Sequence, residues 1–296
     1  MTQEERDKLV AEIRASGVGT KVSPEMLTMF PVKKMEEQNI PTRCGTTHCY
    51  VYWPETAQEG PLPLFINIHG GGFVKGHREQ DVVFATNICR NAECVVVDID
   101  YVTAPEQKYP YALHQCYDVV KYCYENPEVL GIDKERIVVG GHSAGGNLTA
   151  ALSLLNVQEP AFQIKLAFLD YAPTDMNTPP ELKRNAYSIP RLQPDRCRFY
   201  NELYVDDDRR YEPTASPLYA PQEMLEKMPP VLAFTCGKDP LCDEGEAFVE
   251  KLIHAGIEVH AKRFVNSSHG FLVRRKEEYA EGEKILFAAL KTAFAK

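Results

Sequence analysis

The sequence predicts an α/β protein built on a mostly parallel sheet with helices on both faces. Three observations carry that prediction. From about residue 62 to the end, strand-like apolar runs alternate with helical patterns. The runs at 62–68, 94–99 and 136–139 are mainly apolar rather than alternating, as strands buried on both faces are. The 296 residues, 44% of them hydrophobic, suffice for one large α/β domain.

Each element follows from local pattern. Residues 4–15 carry Leu9, Val10 and Ile13 among charges, which predicts an amphipathic helix. A segment with proline and methionine follows over 23–34. Residues 49–53 alternate like a strand. The strand at 62–68 runs into glycines, residues 80–92 read as a helix, 94–99 as a second buried strand and 110–125 as a helix. A third buried strand at 136–139 feeds a helix over 145–155. Strands are expected at 164–169, 230–235 and 259–264, with helices at 243–254 and 277–294. Two stretches break the rhythm: the first 45 residues, and residues 175–219, rich in Pro, Arg, Asp and Tyr. Long irregular insertions in such folds are often lids or binding loops.

A net charge of −9 argues against nucleic acid as a partner, because phosphate binding needs a basic face. The nine cysteines are an odd number, and several sit in apolar patterns where cysteine acts as a small hydrophobe. The first residues are polar and resemble no signal peptide, and no apolar run approaches 18 residues. A reduced, cytoplasmic protein without a membrane partner is the expectation. Cys44, His48 and Cys49 lack a second pair at finger spacing, so no zinc is expected there. Asp206, Asp207 and Asp208 lack the alternating ligands of a calcium loop.

The chemistry gathers at strand ends. Gly141-His142-Ser143-Ala144-Gly145 joins the 136–139 strand to the next helix, the setting of a nucleophile elbow. Small neighbours suit a serine forced into an unfavourable backbone conformation. The helix start aims positive dipole density at the reacting centre. A serine hydroxyl needs a base, and the base needs an orienting carboxylate. Downstream lie His254, His260 and His269. The first two fall inside a helix and a strand. His269 sits in a polar loop after the last strand, where ligand-facing residues of open α/β sheets gather, and is the expected base. Asp239 follows the 230–235 strand, and Pro240 biases it away from helix. Asp243 is the second choice, because it reads as a helix-start residue. After the 62–68 strand, His69-Gly70-Gly71-Gly72-Phe73 lets backbone approach a substrate closely. Gly71 and Gly72 are expected to donate N–H groups to an oxyanion together with Ala144. A phosphate-cradling loop is the competing reading, but no Lys-Ser/Thr follows.

Four elements thus fall at four strand ends in the chain order of one mechanism. With Asp100-Tyr101, Ala104-Pro105-Glu106, Ser216-Pro217-Leu218 and Asp239-Pro240-Leu241-Cys242-Asp243-Glu244-Gly245, they resemble the hormone-sensitive-lipase-like branch of the α/β-hydrolase carboxylesterases. The resemblance spans roughly residues 45–290. It implies an α/β-hydrolase fold with an eight-stranded, mostly parallel sheet and a helical cap. The cap would comprise residues 1–45 and 175–215, and the core 46–174 and 216–296. It also implies a Ser143–His269–Asp239 triad acting on a small-molecule ester without metal or organic cofactor, and allows a homodimer. His142 departs from the family's usual Asp or Thr, and Val102-Thr103 from its Arg-Leu. His142 is expected to face the cap or to touch Asp98 or Asp100. Short acyl chains, acetyl to about hexanoyl, are expected over triglycerides, with Phe30, Tyr187, Phe199, Tyr200 and Tyr204 as candidate pocket or cap-packing residues. A receptor that binds without catalysis and an amidase or peptidase are the alternatives.

Overall fold

Eight strands form one sheet in the order β1-β2-β4-β3-β5-β6-β7-β8, in a computed structural model describing residues 2–16, 22–56 and 58–295. The chain opens with helices α1 (Gln3–Ala15) and α2 (Pro24–Leu27) and strands β1 (Lys34–Thr42), β2 (Gly45–Trp53) and β3 (Leu62–Ile68). It continues through α3 (Glu79–Ala92), β4 (Val95–Asp100), α4 (Tyr111–Glu125), α5 (Pro127–Leu130), β5 (Ile132–His142), α6 (Ala144–Gln158) and β6 (Leu166–Asp170). Helices α7 (Pro194–Tyr204) and α8 (Gln222–Leu225) precede β7 (Val231–Cys236), α9 (Cys242–His254), β8 (Val259–Phe264) and α10 (Tyr279–Ala295). Strand β2 pairs antiparallel with both neighbours, and all pairs from β4 to β8 are parallel.

The apolar runs are buried on both faces because helices cover both. Leu64 and Ile66 pack with Leu113 and Val120 of α4 and Leu148 and Leu152 of α6. The intervening Phe65 joins Phe84 and Ile88 of α3 and Leu286 and Leu290 of α10 on the opposite side. Farther along the sheet, Ala167 and Leu169 meet Phe248 and Leu252 of α9. Helix α6 is the innermost, with residues 144–155 all buried, which explains why its sequence is apolar around its whole circumference.

One strand departs from expectation. Residues 34–42 form β1 on the sheet edge, so the sheet begins at Lys34 and not after residue 45. Its sequence, Lys-Met-Glu-Glu-Gln-Asn-Ile-Pro-Thr, is polar, and only Ile40 is buried. An edge strand with an exposed face needs little apolar patterning and tolerates proline.

The two segments expected to form a cap meet above the sheet. Val10 and Ile13 of α1 pack with Phe199, Tyr200 and Leu203 of α7, over Val74 and Ala104 from the loops that leave β3 and β4. Helix α1 starts with a capping box in which Thr2 and Glu5 satisfy each other's backbone N–H. Arg14 then ties it to Glu106 and to the carbonyls of Val74 and Ala104. Residues 17–21 of the segment lie outside the described residues.

Candidate active site

Ser143 sits between β5 and α6 with φ 56° and ψ −122°, a strained conformation for a side chain with a Cβ. Its N–H donates to the Asp170 carbonyl at the end of β6 (2.8 Å), which fixes the bend. The flanking glycines answer a packing demand. A Cβ on Gly141 would lie 2.5 Å from the Gly145 carbonyl, and one on Gly70 would lie 2.6 Å from the His142 oxygen and 3.1 Å from Ser143 Cβ. The loop after β3 is thus pressed against the serine.

His269 and Asp239 reach the serine from the loops after β8 and β7. His269 Nε2 is 2.9 Å from Ser143 Oγ, and Nδ1 is 2.6 Å from Asp239 Oδ2. Asp239 is 1% exposed and His269 7%. The second Asp239 oxygen accepts from the Leu241 N–H (3.0 Å), and the Lys238 N–H donates to Ser267 O (3.1 Å), joining the two loops. Tyr171, itself at φ 38°, packs against the imidazole with centroids 4.7 Å apart. Of the alternatives, Asp243 is drawn to Arg184 (3.0 Å), and His260 lies beside Glu258 on the exposed edge.

Gly71 (φ 143°) and Gly72 (φ 62°) form a turn whose Gly71 carbonyl accepts from Val74 and Lys75 N–H. Among the described residues, no group accepts from the N–H of Gly71, Gly72 or Ala144. Gly72 has no room for a side chain because a Cβ would meet the Tyr200 ring at 2.8 Å. Helix α7 therefore rests directly on this loop.

The loop is braced from beneath. His69 stacks on Tyr101 at 4.2 Å, and the Tyr101 hydroxyl donates to the His69 carbonyl (3.1 Å). His77 bonds Asp98 (2.6 Å), which also accepts from Asn67 (2.7 Å). Burial works against a charged His77, but Asp98 outweighs it, helped by Asp81 and Asp100, and raises the imidazole to about 9. A raised pKa contributes stability that is complete below the unfolded value near 6.5 and is lost as pH rises through about 9. In urea unfolding, the gap between the wild type and His77→Phe should shrink by roughly 2–3 kcal/mol between pH 6 and pH 10. A gap that stays constant would mean that His77 is neutral throughout.

Two neighbours of the elbow take their places from the tertiary structure. Of the two expectations for His142, it faces the cavity over Ser143 and touches neither Asp98 nor Asp100. It packs edge-on against Phe84, and its Nε2 lies 3.7 Å from Asp81 Oδ1, because α3 rather than β4 covers this side of the elbow. Asp170 was not singled out at all. It is fully buried with neither carboxyl oxygen hydrogen-bonded, and burial, with Asp239 close by, pushes its pKa well above the usual carboxylate range. A signal existed: an aspartate ending an apolar strand, as Asp100 does.

A cavity of about 70 Å³ opens over Ser143 and His269, walled by the Gly70–Gly72 backbone, Tyr171, Leu192, and Tyr200 of α7. Among the aromatic candidates only Tyr200 lines it. Phe199 and Tyr204 are buried in packing, Tyr187 is 70% exposed, and Phe30 lies against Arg275. Cys44, His48 and Cys49 do not converge. Among the described residues, only Cys242, Asp243 and Glu246 bring three ligand-type atoms together, and Glu246 already accepts from Arg263.

A hydroxyl on a strained strand-to-helix bend, with imidazole and carboxylate in line behind it and free N–H groups in front, is the arrangement found in serine hydrolases. Residues 65–273 match the family description of the alpha/beta hydrolase fold. An AB hydrolase superfamily protein of Schizosaccharomyces pombe is 33% identical over 259 residues, covering 84% of this chain and 76% of that one. The arylesterase of Saccharolobus solfataricus is 32% identical over 81% of this chain and 75% of its own length. The Pyrobaculum calidifontis esterase superposes with a TM-score of 0.84 at 30% identity, over 98% of this chain and 92% of that one. The chain belongs to the α/β-hydrolase family.

Proposed function

We propose that the protein is a serine carboxylesterase that hydrolyses short-chain acyl esters of small molecules through an acyl-enzyme. The observation that carries the reading is His269, which bridges Ser143 Oγ (2.9 Å) and Asp239 Oδ2 (2.6 Å) in one line. The relatives and neighbours named as esterases support the same activity class.

His269 Nε2 takes the proton of Ser143 as Oγ attacks the ester carbonyl. The oxyanion that forms is held by the N–H groups of Gly71, Gly72 and Ala144, each worth about 3 kcal/mol of barrier in comparable sites. The tetrahedral species collapses, the C–O bond to the alcohol breaks, and Nε2 returns its proton to the leaving oxygen. Water then attacks the acyl-enzyme with His269 again as base, and the acid departs. Asp239 stays ionised, keeps Nδ1 protonated and stabilises the imidazolium. The strain at Ser143 suits this chemistry, since it holds Oγ at the cavity mouth without conformational search.

The small cavity under Leu192 and Tyr200 supports acyl groups from acetyl to about hexanoyl. The nine unpaired cysteines, seven of them buried, support a reducing compartment such as the cytoplasm. No helix among the described residues is long and apolar enough to cross a membrane.

Labelling with a fluorophosphonate, followed by mass spectrometry, tests the nucleophile. The adduct is expected on Ser143 and absent from Ser143→Ala. A folded protein that takes up no label would overturn the esterase reading. A series of 4-nitrophenyl esters should then show kcat/KM falling beyond a six-carbon acyl chain.

A further inference from the structure

Apart from its histidines and tyrosines, every ionisable side chain in the cavity wall is basic. Lys75 and Arg78 come from the loop after β3, Arg191 from the cap and Arg274 from the segment after His269. No aspartate or glutamate lines the cavity, in a chain whose net charge is −9. Arg196 of α7 stands behind Lys75 and donates to the same Ser16 hydroxyl (3.3 Å).

These cations are spent on neutral oxygens. Lys75 Nζ donates to Ser16 O (2.7 Å), Arg78 Nη2 to Gly70 O (2.7 Å) and Arg274 Nε to Gly270 O (3.0 Å). Arg191 and Arg274 both donate to the His269 carbonyl. Only Arg78 has a carboxylate within 4 Å, Asp81 at 3.6 Å, while Asp239 and Glu277 act on Arg191 and Arg274 from farther away. Arg78 Nε and Nη1 and Arg191 Nε are buried with no acceptor. Elsewhere Lys183 pairs with Glu244, and Arg275, the residue after Arg274, with Glu283, although Lys251 also donates only to carbonyls, those of Leu218 and Ala220. A half-buried cation without a carboxylate costs stability. Burial and the neighbouring arginines press Lys75 down to about 7, and burial with Arg274 presses Arg191 to about 10, which is the electrostatic mark of uncompensated charge. What sets the cavity that holds Ser143 apart is that four such cations share its wall.

We propose that the physiological ester carries a carboxylate within a few bonds of its ester carbonyl, and that Lys75, Arg78, Arg191 and Arg274 supply the positive field that binds it. A carboxylate presents two coplanar oxygens, the shape that guanidinium groups match best. Removed from bulk water at the cavity wall, the charge pairing is screened little and discriminates strongly against a neutral ester of equal size. Arg191 and Arg274 gather on His269 and Arg78 on Gly70, so the field surrounds the reacting carbonyl on two sides. The acyl limb and the alcohol limb are therefore both tested. This inference rests on the serine-esterase reading and deepens it.

The test compares matched pairs on the purified full chain. For the acyl limb, 4-nitrophenyl hydrogen glutarate is compared with 4-nitrophenyl hexanoate. For the alcohol limb, acetoxyacetate is compared with acetoxyacetamide in a pH-stat. In at least one pair the anionic member should have a kcat/KM ten or more times higher. Arg191→Gln, with Lys75→Gln as a second variant, should lower that ratio about tenfold. Because each ratio is taken within one preparation, a general loss of active protein cancels. Neutral members hydrolysed as fast as or faster than the anionic ones in both pairs would overturn the proposal while leaving the esterase intact. Hydrolysis of no ester, together with no fluorophosphonate adduct on Ser143, would remove the esterase reading and the proposal with it.

Discussion

Ser143→Ala should remain folded and hydrolyse esters some 10⁴–10⁶-fold more slowly than the wild type. The fold should survive because Ser143 Oγ bonds only His269, and because alanine meets the same backbone strain at φ 56° that serine already bears. Packing around the elbow is set by Gly141, Gly145 and Gly70, which the substitution leaves alone. Catalysis should collapse because nothing else in the cavity replaces the nucleophile: the sulfurs of Cys236 and Cys242, the two cysteines flanking Asp239, are buried, and burial pushes both thiols up. The residual rate would come from N–H donors and binding alone. His269→Ala should cost a similar factor, and the double variant little more than either single one, because the two groups act as a unit. Additive losses in that cycle would mean that serine and histidine act on different steps. A Ser143→Ala protein with full activity would place the nucleophile elsewhere.

Gly145→Ala should cost 3 kcal/mol or more of stability, although alanine in place of glycine inside a helix ordinarily gains up to about 1 kcal/mol. The reversal has one cause. A Cβ on Gly145 would lie 1.8 Å from the Ile68 oxygen and 2.7 Å from the His69 oxygen. Both are backbone atoms at the end of β3, a central strand of the sheet, and no rotamer change moves them aside. Helix α6 and β3 must separate, which opens the core between Ile68, Leu148 and the neighbouring strand. It also shifts the Gly70–Gly72 loop relative to Ser143, so activity should fall further than stability. Gly282→Ala in α10 is the control. Its Cβ would meet Leu272 Cδ1 at 3.0 Å, the mobile end of a side chain, so a change within about 1 kcal/mol either way is expected. Denaturant midpoints of the two variants decide the matter. If they shift equally, the contact between α6 and β3 is loose and the glycine has no packing role.

Much of this architecture was legible in the chain itself, and the reason differs from element to element. The strands at 62–68 and 136–139 show as apolar runs because helices on both sides of the sheet exclude water from both faces. The elbow shows because its glycines answer contacts within a few residues of Ser143 and with one neighbouring strand. His269 and Asp239 show because strand ends in this topology all open on the same edge. Strand β1 did not show, since an edge strand with a solvated face carries no apolar pattern. The contact of His142 with Asp81 did not show, because nothing in the chain around the elbow says that α3 covers that side of it.

Taken alone, the sequence showed the alternation of buried strands with helices and pointed to Ser143, His269 and Asp239 as one cluster, because each is written in local pattern or in position relative to a strand end. Only the tertiary structure decided what the serine looks out upon. Lys75, Arg78, Arg191 and Arg274 are scattered over 200 residues of an acidic chain, and none stands out by pattern or spacing. They become a single positive wall because three loops and the cap close over one cavity and bring no carboxylate with them. Long-range electrostatics depends on distance in space and on shared burial. Neither is encoded in the separation of residues along the chain.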